Sequence, residues 1–341
     1  MSAVRAIRWG GLLTAAAALI VLAWLSPPAT VSPAELAPLA PQATPERQGV
    51  SFTVPGNDPL ASLGVEPADV LGVGSAPLIL CAQAGLTCAD AGAGDMIEGL
   101  SFGQDFRPTG VMPIQFAVSA ASRGITGTEV RAEANCTPAE PQADVFGSAL
   151  DGSNAQVWDG DGVACGSNDS PPLYLAEGAY SSRVNALDLE TCPHADWNCD
   201  GIPDEPFLVT LAAGSSTLTA TGATAADILI VNAGVEPAKW ADGVIDLGLV
   251  SGDMIDALCV KESGDGVYDS EDIVLFSLAP GSPSLATGSA SAADLWLPGH
   301  PAVPFYKAAQ LGLQSSDDVT AVMCSFDLSL SRVYLPIVMR Q

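Results

Sequence analysis

The chain has 341 residues, 48% of them hydrophobic, enough to bury one or two cores rather than stay disordered. Only 15% are charged, and acids outnumber bases 39 to 12, which argues against a nucleic acid partner, since phosphate binding needs clustered Lys and Arg. Two histidines and three lysines leave few general bases near neutral pH, and neither G-x-S-x-G nor H-E-x-x-H occurs, so no catalytic residue and no organic cofactor site is assigned.

The N-terminus carries Arg5 and Arg8 and then an uncharged apolar run at 9–25, closed by Ser26, Pro27 and Pro28. Such a run reads as a signal peptide or a membrane anchor, and the preceding positive charges put the remainder outside the cytoplasm, extracellular or at the cell surface. Membrane contact is expected only through this segment if it is uncleaved. From Ser26 onward the balance is 10 bases to 39 acids, formally −29. Residues 26–49 are rich in Pro and Ala without an apolar period, the composition of a semi-extended linker.

After residue 49 the texture changes to short apolar runs broken by Gly, Pro, Ser and Asp, which is strand-and-turn composition. Two stretches align closely: FLVTLAAGSSTLTATGATAADILI at 207–230 and VLFSLAPGSPSLATGSASAADLWL at 274–297. Each is followed by Leu-Gly-Leu, at 247–249 and 311–313, and an Asp five residues past the glycine, Asp253 and Asp317. The phrase SGDMIDAL at 251–258 also matches AGDMIEGL at 93–100, and AQAGL at 82–86 mirrors AQLGL at 309–313. Four internal repeats follow: 50–110, 111–206 with acidic loops, 207–273 and 274–330, with a C-terminal tail at 331–341.

Each repeat offers three or four short strands, so the predicted fold is all-β. Four units of this size fit a four-bladed β-propeller-like ring, in which the strand near Val319–Val322 completes the first sheet. A β solenoid or two paired β domains is the alternative. Strict alternation in MIDALCV sets Ile255, Ala257 and Cys259 on one face and Met254, Asp256 and Leu258 on the other.

All eight cysteines, an even number, lie in the exported part, where an oxidising compartment favours disulfides. Proximity pairs Cys81 with Cys88, Cys192 with Cys199 and Cys136 with Cys165, leaving Cys259 and Cys324. Absence of C-x-x-C argues against zinc ribbons and thioredoxin-like chemistry.

The acids suggest a metal. In DWNCDGIPDE, Asp196, Asn198, Asp200 and Asp204 supply alternating oxygen ligands around a Gly201 turn, which hard cations need. It is not an EF-hand, because Phe207 stands where the bidentate Glu belongs. The spacing resembles a single thrombospondin type 3 calcium repeat, and that resemblance implies a calcium loop. WDGDGVACGSND adds Asp159, Asp161 and Asp169 as further candidate ligands, and Asp265, Asp269, Glu271 and Asp272 form a weaker acidic loop; for all three loops a solvated turn is the alternative. The recurring Asp69, Asp144, Asp227 and Asp294 admit two readings, turn caps or a ring of carboxylates lining a channel.

The C-terminal RVYLPIVMRQ resembles a Y-L-P-x-V-x-R ending found on exported proteins of some filamentous bacteria. The repeat set, with A-P-G-S-P-S-L and D-D-V-T-A, is similar to surface or secreted repeat proteins of such organisms. Both resemblances imply location rather than activity. The expectation is an acidic, calcium-stabilised surface protein with a structural or binding role, its partner an unknown surface ligand or glycan. A secreted glycan-active hydrolase using paired carboxylates is the alternative, and two convergent carboxylates in one deep apolar cleft would favour it.

Overall fold

A computed structural model describes residues 50–56, 59–88, 94–101, 114–137, 139–160, 173–175, 184–188, 207–232, 235–262, 266–286, 290–299 and 302–324. All of them fall within one compact unit, Thr44–Gln341. They form four antiparallel sheets of four strands each, arranged as a four-bladed β-propeller. Blade 1 contains β1 (Val50–Thr53), β2 (Val70–Gly72) and β3 (Ala76–Ile79). Blade 2 holds β4 (Ile97–Ser101), β5 (Ile114–Val118), β6 (Val145–Ser148) and β7 (Ala155–Trp158). Blade 3 holds β8 (Val184–Asp188), β9 (Phe207–Leu211), β10 (Ile228–Asn232) and β11 (Val235–Ala241). Blade 4 holds β12 (Ile255–Lys261), β13 (Ile273–Leu278), β14 (Leu295–Leu297) and β15 (Val303–Tyr306).

The sixteenth strand, β16 (Ala321–Cys324), closes the ring by pairing antiparallel to β1, with Val50 opposite Cys324 and Thr53 opposite Ala321. It becomes the innermost strand of blade 1, the place that β4, β8 and β12 take in the other blades. These four inner strands pack on one another in ring order, so the axis is narrow. The sequence repeats are therefore one strand out of phase with the blades: each contains the outer three strands of one blade and the inner strand of the next.

Four apolar clusters fill the seams. Phe52 and Leu71 meet Ala257 and Leu295 between blades 1 and 4, and Ile79 meets Ile97 and Phe116 between blades 1 and 2. Val145 and Val209 share the seam of blades 2 and 3, while Leu229's neighbour Ile228 packs with Ile255 and Phe276 between blades 3 and 4. Prolines sit on the outermost strands of three blades, Pro77, Pro237 and Pro304. An edge tolerates a residue without N–H, and its presence blocks pairing with another sheet.

A disulfide joins Cys259 on β12 to Cys324 on β16, so the seam that closes the ring is also covalent, and Cys81–Cys88 staples the turn after β3 as the spacing predicts. Cys136 is also disulfide-bonded. The proposed Cys192–Cys199 pair and Cys165 lie outside the described residues.

The Leu-Gly-Leu element has a structural reason. Gly85, Gly248 and Gly312 all have positive φ, and Gly85 and Gly312 end the 3-10 turn Cys81–Ala84 and helix Ala308–Leu311. Beside each, the chain bonds to the outer turn of the following blade: Gly152 N–H to the Gln83 carbonyl at 2.9 Å, Gly299 N–H to Leu247 at 3.2 Å and Gly74 N–H to Leu311 at 2.9 Å. The stretch toward Leu-Gly-Leu is thus an outer strand followed by a short turn that latches the next blade.

Candidate functional site

A cavity of about 420 Å3 opens at one end of the propeller axis. Four of its polar lining residues share one repeat position, the residue just after the first apolar one of the repeated phrase: Glu98, Asn185 and Asp256 on β4, β8 and β12, and Thr320 just before β16. At three of these, Glu98, Asn185 and Asp256, the strand carries a register shift against its neighbour, a bulge at the same place in three blades. A bulge leaves one residue out of the ladder and re-aims its side chain, a common device next to binding sites. Here it turns a polar residue toward the axis while the flanking residues stay in the seams.

The bulge corrects the alternation expected for MIDALCV. Ile255 packs with Leu258 and Val260 in the seam of blades 3 and 4, whereas Ala257 and Cys259 face the seam of blades 4 and 1. The inserted Asp256 shifts the pleat by one residue, so Ile255 does not share a face with Ala257.

Blades 2 and 4 stand opposite across the axis, which brings Glu98 and Asp256 to facing walls of one cavity, 2% and 8% exposed. Asn185 is held in place by donating Nδ2–H to the Ile255 carbonyl at 2.6 Å and to Asp256 Oδ1 at 2.9 Å. Thr320 donates or accepts with Thr53 at 3.0 Å, and its hydroxyl reaches the Ile97 carbonyl at 3.0 Å. The carbonyls just before this repeat position are gathered by hydroxyls of the second strands of the preceding blade: Thr210 to Ile255 and Ser277 to Val319, at 3.4 and 2.8 Å. In blade 2 the corresponding residue is Ala117, which has no hydroxyl to offer. Asp318 adds a third carboxylate, and Met96, Met254, Pro55 and Pro280 make an apolar rim.

The recurring aspartates do not line this cavity. Each caps a turn: Asp69, Asp144, Asp227 and Asp294 accept, through Oδ1, the N–H of the second residue past the outer strand, Cys81, Gly160, Gly243 and Ala308, at 2.7–2.9 Å. Through Oδ2, three of them also accept the N–H three residues back, from Glu66, Thr224 and Ser291. Lys239 and Lys307 add an ammonium on Oδ2 of Asp227 and Asp294, both at 2.9 Å. Asp227 in turn holds the Lys239 ammonium above its ordinary range. Blade 2 departs from the pattern. Pro141 stands three residues before Asp144 and has no N–H, and among the described residues Asp144 Oδ2 is buried without a hydrogen-bond partner. Burial first, and then the nearby charges of Glu133, Asp159 and Glu140, push the Asp144 carboxyl well above the usual range.

Of the metal ligands expected from sequence, Asp159 is buried at 5% exposure at the end of β7, next to the Asp144 cap. Asp161, Asp169, Asp196, Asn198, Asp200 and Asp204 lie outside the described residues. Among the described residues no group of three or more His, Cys, Asp or Glu side chains is placed to hold a metal ion. Sequence reasoning missed the axial set, although its signal stood in the repeated phrase itself, as the variable residue of DMIEGL, DMIDAL and DDVTAV.

No family model matches the chain, and no curated protein or solved structure matches it. Among the described residues no helix is long and apolar enough to cross a membrane; residues 9–25 are outside that set.

Proposed function

We propose that the protein is an exported binding protein that holds its ligand in the axial cavity, with the disulfide-fastened blades as a rigid frame. The carrying observation is the convergence of Glu98, Asn185, Asp256 and Thr320, one per blade, in a cavity of about 420 Å3 with an apolar rim. That volume lies in the range of small-ligand pockets, which combine apolar walls with a few convergent polar groups. Export is supported by the apolar N-terminal run and agrees with the disulfides.

One observation favours a second reading, a glycan-active hydrolase. Glu98 and Asp256 are two carboxylates lining one cavity, and a pair of carboxylates flanking the scissile bond is what acid-assisted glycoside cleavage uses. Against it, no aromatic side chain lines the cavity among the described residues to stack a sugar ring. The test incubates the chain from residue 50 onward with a panel of polysaccharides and cell walls, scoring retention and product release. Retention lost in Glu98→Gln/Asp256→Asn supports the binding reading, retention unchanged in that variant overturns it, and product release lost in either single variant moves the assignment to the hydrolase.

Calcium belongs to the same proposal, at Asp196, Asn198, Asp200 and Asp204. A cation bound only by the native state stabilises it by RT ln(1 + [L]/Kd), about 2.7 kcal/mol at a hundredfold excess over Kd. Chelation should therefore lower the melting temperature of the wild type, and Asp200→Ala should lose most of that dependence. Coincident wild-type curves with calcium and with chelator would remove calcium from the proposal.

A further inference from the structure

We infer that the axial cavity takes an organic cation, a primary ammonium on a short alkyl chain such as a diamine or a lysine side chain; this rests on the cavity being the binding site. Three carboxylates line it, Glu98, Asp256 and Asp318, and no basic side chain does among the described residues. The chain's net charge of −27 adds a field that draws cations toward any acidic concavity.

The kind of cation follows from what surrounds those carboxylates. A bare divalent ion needs several oxygen ligands converging at bonding distance, yet no three acidic side chains among the described residues are grouped for it. The carboxylates instead stand apart around a space large enough for an organic molecule. A quaternary ammonium is best held by an aromatic cage, and no described lining residue is aromatic. A primary ammonium carries three N–H donors, and the floor offers acceptors on different blades: the two facing carboxylates and the Thr320 hydroxyl. The alkyl portion finds Met96 and Met254 at the rim, unbranched and polarisable side chains that adapt to a flexible chain.

The bulges supply the specificity. Because Glu98 and Asp256 leave the ladder at the same repeat position, their carboxylates are anchored to the rigid inner strands rather than to loops. Asn185 orients Asp256 through its Nδ2–H, so one wall of the site is fixed before a ligand arrives.

The experiment is calorimetric titration of the chain from residue 50 onward with 1,5-diaminopentane, beside 1,5-pentanediol, tetramethylammonium, calcium chloride and a neutral oligosaccharide. Saturable one-to-one binding of the diamine is expected, with no heat from the diol and weakening of at least tenfold in Glu98→Gln/Asp256→Asn. Met254→Trp, which fills the mouth without changing any charge, should also abolish it, and it replaces the double variant should that one fail to fold. Diamine binding that survives these substitutions is a surface field effect and overturns the inference, as does equal affinity for the diol or one-to-one displacement of the diamine by calcium. Oligosaccharide binding without diamine binding, lost in Met254→Trp, overturns the cation and leaves the cavity as the binding site. Binding of none of the five probes overturns the inference on its own, while the polysaccharide and cell-wall panel continues to decide the binding reading.

Discussion

At Asp144 one substitution in the chain changes the chemistry of a repeated device. Three blades give the capping aspartate a second donor; in blade 2 Pro141 removes it, and Oδ2 is buried without a partner among the described residues. The native carboxyl is consequently raised above its unfolded value, chiefly by burial. Between the ordinary carboxylate range and that raised value the native state binds more protons than the unfolded state, so stability falls as pH rises through this window. Asp144→Asn keeps the acceptor for Gly160 and removes the buried charge that Glu133, Asp159 and Glu140 repel. It should raise stability at pH 7 by about 1–3 kcal/mol, the cost of an unsatisfied buried polar group, and match the wild type below the ordinary carboxylate range. Denaturant melts at pH 3.5 and pH 7 check both halves; destabilisation at pH 7 would mean that Oδ2 has a partner after all. The roles of Asp69, Asp227 and Asp294 were legible as turn caps, because Asp favours such turns by its own chemistry. The exception needed the register of the chain, which puts a proline where the donor belongs.

Elements are held to their neighbours by latches that recur from seam to seam. Gly248 has φ of 74°, and a Cβ there would stand 1.4 Å from the Gly299 carbonyl oxygen. Gly248→Ala should therefore cost more than the roughly 1–2 kcal/mol of a left-handed residue alone, read as a lowered denaturation midpoint. The Cys259–Cys324 bridge closes a segment of 65 residues between two inner strands. In the chain-entropy treatment its removal costs about 4 kcal/mol, so Cys259→Ser/Cys324→Ser should shift the urea midpoint down while keeping the β-sheet signal. An unchanged midpoint would show that packing in the seam alone closes the ring. The repeated Leu-Gly-Leu was visible as a pattern, but its purpose was not, since the partner of each glycine lies in another blade. The bulges were hidden for a related reason: alternation in DMIDAL reads as an uninterrupted strand, and only pairing with β13 exposes the extra residue.

For the whole molecule, the count of repeats and the strand left over at the end were enough to anticipate a ring of four, because an unpaired β1 and an unpaired β16 complete one sheet between them. Blade phase was less visible. The repeats were bounded where the sequence resembles itself, whereas blades are bounded by hydrogen bonding, one strand away. A chain ending at Asp318 lacks the inner strand of blade 1, with Val319 and Val322 of the closing seam and the Cys324 sulfur. It should show no cooperative unfolding transition by circular dichroism. A transition as sharp as that of the full chain would mean that the other three blades fold without closure.

The pairing of β16 with β1 also sets an order in time. A polypeptide that leaves a ribosome or a translocation channel N-terminus first delivers β1 long before its partner β16, with fourteen described strands between them. Until the last one emerges, the bare edge of β1 is a template for illegitimate pairing with other nascent chains. Blade 1 is thus the first to be begun and the last to be finished, its inner edge open until β16 appears.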